Sequence, residues 1–268
     1  MARGAETMEE TAHRARGGAA VRPSPVFLAI AAATILCGMV AWRYANEPAK
    51  PARIALFGFV LAAWMVSLCL HEFGHAYMAY RSGDRSVISK GYLTLNPVRY
   101  SDVTLSFLIP VLFIVLGGIG FPGGAVWIER HRIQGRLRHS LISAAGPLSN
   151  VLFAVVLAVL YNNFAHQDHG VFWLGVAFLA FLQVTAAVLN LLPVPGLDGF
   201  GIIEPYLPRS LVAKVAPYGG YAFLILIGLL WLRPVNQAFF DLIFNITGVL
   251  GLDELPIQFG HSLFQFWN

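Results

Sequence analysis

Charged residues are scarce in this chain. Asp, Glu, Lys and Arg make up 12% of its 268 residues, whereas soluble domains carry roughly 25%. Hydrophobic residues make up 57%, and the mean hydropathy is +0.65. This shortage of charge excludes an ordinary soluble enzyme and is typical of a protein that crosses the lipid bilayer several times.

Cysteine is also scarce, and the basic residues do not form a single cluster. Cys37 and Cys69 both lie in apolar runs, where two thiols do not make the disulfide framework of a secreted domain. The net charge is +4, but Lys and Arg lie in short loops between apolar runs. That distribution follows the positive-inside rule of membrane proteins and argues against nucleic acid as a partner.

The apolar runs predict an all-α polytopic membrane protein with about five to six transmembrane helices. Residues 1–24 carry mixed charges without apolar periodicity, which predicts a disordered cytoplasmic tail. Residues 25–53 are predicted to hold the first span and its loop; a cleavable signal peptide is the alternative, but the run is long and no clear A-x-A site follows. Later spans are predicted at 54–80, 140–161, 172–192 and 215–232, whereas the short stretch 238–250 is predicted to lie at the interface or against the bundle.

A metal-binding motif lies at the end of the second apolar run. His71-Glu72-Phe73-Gly74-His75 places two imidazoles four residues apart, on one face of a helix and within reach of one metal ion. Zinc suits imidazole nitrogen, and a catalytic zinc keeps three protein ligands and one open position for water. Glu72 is placed to take a proton from that water. A chance match on a surface helix is the alternative, but titratable residues in a membrane span are costly and usually functional.

A polar insert follows the motif. Residues 90–97 alternate along the chain and end at Pro97, which predicts a short edge β-strand that could pair with an extended substrate. Tyr92, Thr94 and Asn96 are the candidate substrate-binding residues on this strand. An ordinary interfacial loop fits the same pattern equally well.

Two histidines need a third ligand, and two carboxylates follow the fourth span. Asp198 lies after the helix-breaking Pro193 and Pro195 and before Gly199. Such irregular backbone is tolerated at membrane depth where it lines a wet cavity. Glu204 is the other candidate, and a turn or a helix cap is the ordinary role of a lone Asp in this setting.

The predicted topology favours Asp198. With a cytoplasmic N terminus, the second span ends with its histidines near the cytoplasm, and the fourth span must run in the same direction for Asp198 to reach them. The third span then starts in the cytoplasm, where the positive-inside rule also places Arg130 to Arg138. Both arguments require residues 103–124, broken by Pro110 and a glycine-rich run, to return to the side they left as a re-entrant segment or a hairpin.

These motifs resemble those of the site-2 protease family of intramembrane zinc metalloproteases. The resemblance rests on His71-Glu72-Phe73-Gly74-His75, Gly146-Pro147-Leu148-Ser149-Asn150 and Leu197-Asp198-Gly199, together with Leu93-Thr94-Leu95-Asn96-Pro97. It covers roughly residues 54–208, a three-span catalytic core with an insert at 84–138, and leaves 209–268 as C-terminal membrane helices. The sequence shows neither the PDZ nor the CBS domain of better-studied members, which predicts a minimal form.

The resemblance implies that His71, His75 and Asp198 bind one Zn2+ per chain and that Glu72 is the general base and acid. It also implies that Asn150 helps to hold the substrate backbone or the oxyanion. The implied reaction is hydrolysis of a peptide bond within or near the transmembrane segment of a membrane-anchored protein or peptide. The implied location is a bacterial cell membrane, with the active site toward the cytoplasm.

Three other functions fit parts of the sequence. A di-iron desaturase or hydroxylase would need several histidine boxes, which the remaining histidines do not form. A prenyl-protein protease of the other membrane zinc class would take a glutamate, such as Glu204, as its third ligand. A catalytically inactive homologue could act as a membrane scaffold or chaperone, although the presence of Glu72 beside three candidate ligands argues against it.

Overall fold

The computed structural model describes residues 22–100, 111–112, 114–115, 126–165 and 168–267. The predicted N-terminal tail and the predicted re-entrant segment 103–124 lie almost entirely outside these ranges. The described α-helices are α1 (Pro25–Arg43), α2 (Lys50–Ser82), α3 (Ser86–Ser89), α4 (Arg136–Phe164), α5 (Gly170–Leu191), α6 (Asp198–Ile203), α7 (Arg209–Val215), α8 (Gly219–Leu230), α9 (Arg233–Val249) and α10 (Glu254–Phe264). Short 3-10 turns lie at Tyr92–Thr94, Pro97–Arg99, Arg130–Arg132, Glu204–Tyr206 and Ala216–Tyr218, and no β-strand occurs within these ranges.

Five helical stretches of the described chain are long and apolar enough to cross a bilayer. They are α1, α2, α4, α5 and the stretch Arg209–Leu230, which contains α7 and α8. The helices α9 and α10 together would supply a sixth crossing if the 112° bend between them is a break within one span. The prediction of an all-α chain with five to six membrane helices is therefore confirmed. The stretch 238–250, predicted to lie at the interface or against the bundle, lies mostly within α9.

The sequence sets both ends of α2, the helix that carries the histidine motif. Pro51 lies in its first turn, where a missing backbone N–H costs nothing, and Gly83 ends the helix in the left-handed conformation with φ 120°. At about 1.5 Å per residue, a helix of this length extends about 50 Å, which exceeds the roughly 30 Å of a bilayer's hydrocarbon core. The last turns of α2 can therefore reach an interface while its middle stays in the core.

Three helices, α2, α4 and α5, form the centre of the bundle. On α2 and α5, Leu56 contacts Gly175 and Ser67 bonds with Gln183, so these helices run in the same direction. On α4, an early residue contacts the end of α2, because the carbonyl of Ile142 faces the His75 ring. The helix α4 therefore runs opposite to the other two. The C-terminal ends of α2 and α5 meet the N-terminal end of α4, as the sequence argument for Asp198 required.

The prediction of a β-strand at residues 90–97 is wrong. Two 3-10 turns occupy this part of the insert, at Tyr92–Thr94 and Pro97–Arg99. Gly91 and Leu95 have left-handed backbone conformations, with φ of 75° and 56°, and a strand cannot continue through either of them. The alternating pattern misled because alternation over so few residues does not separate a strand from a turn whose apolar residues happen to be buried.

The residues predicted to bind substrate on that strand have other contacts. Tyr92 is 5% exposed and packs in the small cluster under the insert. The Thr94 hydroxyl donates to the carbonyl of Gly91 at 2.7 Å, and the Asn96 side chain accepts from the backbone N–H of Val98 at 3.1 Å. Thr and Asn side chains commonly compete with regular structure through such local bonds. The strand edge that was to pair with a substrate is absent from this part of the insert.

Candidate active site

His71 and His75 lie on the buried face of α2, one helical turn apart. The two residues are only 4% and 6% exposed. Their Nε2 atoms lie 3.1 Å apart, so both imidazoles direct the same ring nitrogen into one space. Residues four apart on a helix lie one above the other, and this spacing makes the convergence possible.

Asp198 reaches the two imidazoles from beyond the end of α5. The turn after α5 contains Pro193 and Pro195, and α6 begins at Asp198 itself. The Asp198 Oδ2 atom lies 3.2 Å from Nε2 of His71, and Oδ1 lies 3.3 Å from Nε2 of His75. The fold thus joins two segments of the chain that lie more than a hundred residues apart.

The contacts of α6 hold Asp198 in place and engage the alternative carboxylate. On α4, Ser140 Oγ donates to the carbonyl of Ile202 at 2.6 Å, which fixes the short helix against the bundle. Glu204, the other candidate ligand, forms an ion pair with Arg130 at 2.7 Å. Its carboxylate is thus used to tie the loop before α4 to the end of α6.

The three converging side chains suit a zinc ion. Two imidazole nitrogens and one carboxylate oxygen are a common catalytic zinc donor set. Ligand atoms held about 2.0–2.1 Å from a tetrahedral ion lie about 3.3 Å from one another, and the three separations here are 3.1, 3.2 and 3.3 Å. Within the described ranges, His71, His75 and Asp198 form the one group of His, Cys, Asp or Glu side chains able to hold a metal ion.

The charge state of Asp198 agrees with such a role. Burial opposes ionisation of this carboxyl, but the charges and hydrogen bonds of His75 and His71 outweigh burial and hold its pKa below the usual range of an aspartate. A metal ligand of this type must be deprotonated. Asp198 is therefore an anion over the whole physiological pH range.

Gly146 on α4 has no side chain, and this keeps open the space in which the two imidazole nitrogens converge. A Cβ atom at this position would lie 2.2 Å from Nε2 of His75 and 2.5 Å from Nε2 of His71. Real Cβ atoms essentially never approach so closely, so any side chain here would occupy the position between the ligands. This role of Gly146 was not predicted from the sequence, although the residue belongs to the Gly146–Asn150 motif.

Glu72, the next residue after His71, is 2% exposed. Its Oε2 atom is buried without a hydrogen-bond partner among the described residues, and its carboxylate is within hydrogen-bonding reach of the backbone N–H of Val126. A buried carboxylate oxygen without a partner is costly. Such an oxygen beside three metal-binding atoms is consistent with a group that handles a proton during a reaction.

The second ring nitrogen of each histidine also has a partner. The Nδ1 atom of His75 lies 2.7 Å from the backbone carbonyl of Ile142. The Nδ1 atom of His71 lies 2.5 Å from Oδ1 of Asn150, a side chain that is 3% exposed. Because both partners are acceptors, each Nδ1 carries a hydrogen, and Nε2 is the ring nitrogen that faces the shared space and could bind a metal.

Ser67 and Gln183 extend this arrangement, and the sequence analysis missed both. The Asn150 amide donates to Gln183 Oε1 at 2.9 Å and to Ser67 Oγ at 3.2 Å. The Ser67 hydroxyl also donates to Gln183 Oε1. Ser67 and Gln183 are 2% and 0% exposed. Their signal in the sequence was their polarity within otherwise apolar spans.

Asp84 lies in the loop that follows α2, outside the predicted span, and its hydrogen bonds hold this loop in place. The residue is fully buried. Its carboxylate accepts from the backbone N–H of Ser86 at 2.9 Å and from that of Glu129 at 2.8 Å. Burial alone would raise the pKa of Asp84, but these hydrogen bonds and the nearby charge of Lys90 outweigh it and hold the pKa below its usual value. Lys90 also forms an ion pair with Glu129 at 3.3 Å.

Sequence comparison agrees with the geometry of the site. Residues 59–170 match the sequence profile of Peptidase family M50. A protein of Mycolicibacterium smegmatis named "Putative zinc metalloprotease Rip2" is 46% identical over 248 residues, which cover 92% of this chain and 95% of that protein. The protein of the same name from Mycobacterium tuberculosis is 43% identical over 262 residues, which cover 97% of this chain and 99% of the relative.

A more distant relative comes from Bacillus subtilis. It is named "Putative zinc metalloprotease YwhC" and is 31% identical over 191 residues, which cover 69% of this chain and 84% of that protein. No solved structure matches the chain significantly. The matches extend over nearly the full length of the mycobacterial relatives, and their names specify the metal that suits the three converging side chains. The chain therefore belongs to peptidase family M50, the site-2 protease family, and is a zinc metalloprotease.

Proposed function

We propose that the protein hydrolyses peptide bonds within or near the transmembrane segments of membrane-anchored proteins. In this proposal His71, His75 and Asp198 hold one zinc ion, and Glu72 is the general base and acid. The observation that carries the proposal is the position of Asp198, whose two oxygens lie 3.2 and 3.3 Å from the two imidazoles. A structural histidine pair would not need a carboxylate brought from beyond another helix.

The chemistry divides between the metal and the chain. Bound zinc supplies a Lewis acid that polarises the scissile carbonyl and lowers the pKa of water toward about 7. Glu72 takes one proton from the attacking water as the oxygen bonds to the carbonyl carbon. It then gives that proton to the leaving nitrogen as the C–N bond breaks, which yields a carboxylic acid and an amine that exchange a proton to become a carboxylate and an ammonium group. The burial of Glu72, at 2% exposed, keeps bulk water from the proton it carries.

The substrate must reach this site in an extended form. A transmembrane helix satisfies its carbonyls within itself, so the scissile bond becomes accessible only after local unwinding. The site lies where the C-terminal ends of α2 and α5 meet the N-terminal end of α4, which is near one end of the bundle. Cleavage near the end of a substrate helix requires less unwinding than cleavage at its centre.

The proposed orientation places this end of the bundle at the cytoplasmic face of a bacterial membrane. The loop before α4 carries Arg130, Arg132, Arg136 and Arg138. Positive residues in short loops favour the cytoplasm. The described loop at the opposite end, between α4 and α5, has no Lys or Arg.

Cleavage of a defined membrane substrate by catalytic variants tests this proposal. The probe is a single-span membrane protein with an epitope tag at each end and glycine residues in its span, co-expressed with the full chain. The wild type should cut it within or near the span, and Glu72→Gln should reduce cleavage by about 10²-fold or more because the proton acceptor is lost. Mass spectrometry of the fragments locates the cut.

The exposed glutamate of α10 provides the matched control. Glu254→Gln makes the same chemical change at an exposed position on a different helix from His71 and His75, and its cleavage should equal that of the wild type. Zinc content is measured in parallel and should be the same in all three proteins, since Glu72 is not proposed as a ligand. If Glu72→Gln retained zinc and cleaved the substrate as well as the wild type does, Glu72 would not be the general base and acid.

A further inference from the structure

Both polar atoms of the Asn150 amide form hydrogen bonds in this structure. Its Oδ1 atom faces Nδ1 of His71 at 2.5 Å. Its Nδ2 atom donates to Ser67 Oγ at 3.2 Å and to Gln183 Oε1 at 2.9 Å. These two acceptors are bonded to each other and lie on the same side of Nδ2. The amide nitrogen of Asn150 is therefore directed at the Ser67–Gln183 pair.

The partners of Asn150 decide which way its amide points. The Gln183 Oε1 atom accepts from Asn150 Nδ2 and also from the Ser67 hydroxyl. A flipped Asn150 amide would place its oxygen against the Gln183 oxygen and its NH2 group against the N–H of His71. With Gln183 oriented as it is in this structure, both contacts would be repulsive, so the Ser67–Gln183 pair favours the orientation shown. In that orientation Asn150 accepts from His71.

Gln183 orients the Asn150 amide but lowers the stability of the fold. It is fully buried on α5, and its Nε2 atom is buried without a hydrogen-bond partner among the described residues. An unpaired buried donor is unfavourable, and an apolar residue of the same size would avoid it. The presence of Gln183 is therefore better explained by the hydrogen bonds that its Oε1 atom accepts than by a contribution to stability.

We propose that Gln183 and Ser67 are positioning residues for the metal centre. Through Asn150 they keep the hydrogen of His71 on Nδ1 and the lone pair of Nε2 directed at the space shared with His75 and Asp198. This inference deepens the proposed function and rests on its assignment of His71 as a zinc ligand. His75 needs no such side chains, because a backbone carbonyl, that of Ile142, accepts from its Nδ1.

Zinc affinity tests the inference without a substrate. Detergent-purified full-length protein is titrated against a competing zinc chelator, as the wild type and as Gln183→Met and Ser67→Ala. Gln183→Met keeps the volume of the side chain and removes the acceptor. Its zinc affinity should fall by about 10–100-fold, the usual effect of losing a partner that orients a ligand. Ser67→Ala removes one of two contacts and should lower the affinity less.

Two further variants separate positioning from general damage. Gln183→Glu retains an acceptor oxygen and should restore most of the zinc affinity that Gln183→Met loses. Thr185→Val removes another fully buried hydroxyl of α5, which donates only within its own helix, to Phe181 at 2.8 Å; it should leave the affinity unchanged. The absorption spectrum of the Co2+-substituted protein should change in Gln183→Met and remain the same in Thr185→Val.

The outcomes distinguish this inference from the proposed function. If the wild type binds zinc and both Gln183→Met and Ser67→Ala bind it equally tightly, the positioning role is wrong while the protease assignment stands. The same holds if Gln183→Met lowers cleavage of the tagged substrate with unchanged zinc affinity, since Asn150 would then act on the substrate. If the wild type binds no zinc, the proposed function itself fails.

Discussion

A methyl group on Gly146 would lie 2.2 Å from Nε2 of His75, closer than any real Cβ contact. The helix α4 thus passes the metal-binding face of α2 at a distance that only glycine permits. The atoms it would displace are the far ends of two histidine side chains, which can rotate away. A substitution at this position would therefore spare the fold and damage the ligand geometry.

Gly146→Ala should weaken zinc binding without unfolding the protein. Rotation of the imidazoles to avoid the methyl group moves both Nε2 atoms from the positions that share one ion, and zinc affinity should fall by at least about 10-fold. Alanine is otherwise favoured over glycine in a helix by roughly 0.5–1 kcal/mol. The melting temperature of the metal-free variant should therefore stay close to that of the metal-free wild type, while the zinc content of the untreated variant, measured by elemental analysis, falls.

Gly220→Ala is the control for that experiment. Gly220 lies on α8, and a Cβ atom there has nothing within 4 Å. This variant gains the same helix propensity and should retain zinc at the level of the wild type. If Gly146→Ala kept its full zinc content, the two imidazoles would be able to bind the ion in another position. The short distances from the Gly146 Cβ position to both Nε2 atoms would then not limit zinc binding.

The third ligand can be identified by the zinc content of purified variants. Wild-type protein should hold about one zinc per chain, and His71→Ala and Asp198→Ala should each lose nearly all of it, because each removes one of three ligands from one site. Glu204→Ala should retain zinc, since this carboxylate is paired with Arg130. Zinc retained by Asp198→Ala and lost by Glu204→Ala would reverse the assignment.

The sequence was sufficient to predict the helical class and the residues that converge. Two histidines four residues apart lie on one face of a helix. Asp198 can reach them only if α5 runs in the same direction as α2, so the sequence also predicted the direction of α5. The insert was harder, because residues 90–97 are too short for periodicity to decide between a strand and a turn. The left-handed conformation of Leu95, with φ 56°, has no signature in the residue type.

The partners of the histidines show a second limit of the sequence. Ser67, Asn150 and Gln183 lie on three different helices, and their contact depends on how those helices pack. A polar residue in an apolar span indicates some function, but its partner is known only once the helix directions and rotations are fixed. Gly146 shows the same limit, because the histidines that it accommodates lie on another helix.

Asp84 should make the stability of the protein depend on pH. Its pKa is held below the usual value in the folded protein, so its contribution is fully present above about 3.9, the pKa of an unfolded aspartate, and is lost as the pH falls through the folded pKa. Asp84→Asn replaces an acceptor of two N–H groups and should cost roughly 1–3 kcal/mol at pH 7. Thermal unfolding in detergent from pH 7 down to pH 3 should show the difference from the wild type shrinking with acid.

An exposed aspartate provides the comparison for Asp84. Asp168 lies in the loop before α5 and is exposed, so Asp168→Asn should match the wild type at every pH. A difference between Asp84→Asn and the wild type that stays constant down to the lowest pH would mean that Asn fails for steric reasons and not through the lost carboxylate.

The proposed orientation predicts which loops face the cytoplasm. In a background of Cys37→Ser and Cys69→Ser, single cysteines are introduced as Arg138→Cys, at the start of α4, and Asp168→Cys, before α5; both residues are exposed. If α4 crosses the membrane between them, a membrane-impermeant maleimide should label Asp168→Cys on intact bacterial cells and Arg138→Cys only after permeabilisation. The reverse pattern would place the histidines and Asp198 at the outer face, where the arginines before α4 would contradict the positive-inside rule. Labelling of both positions on intact cells would mean that α4 does not cross the membrane.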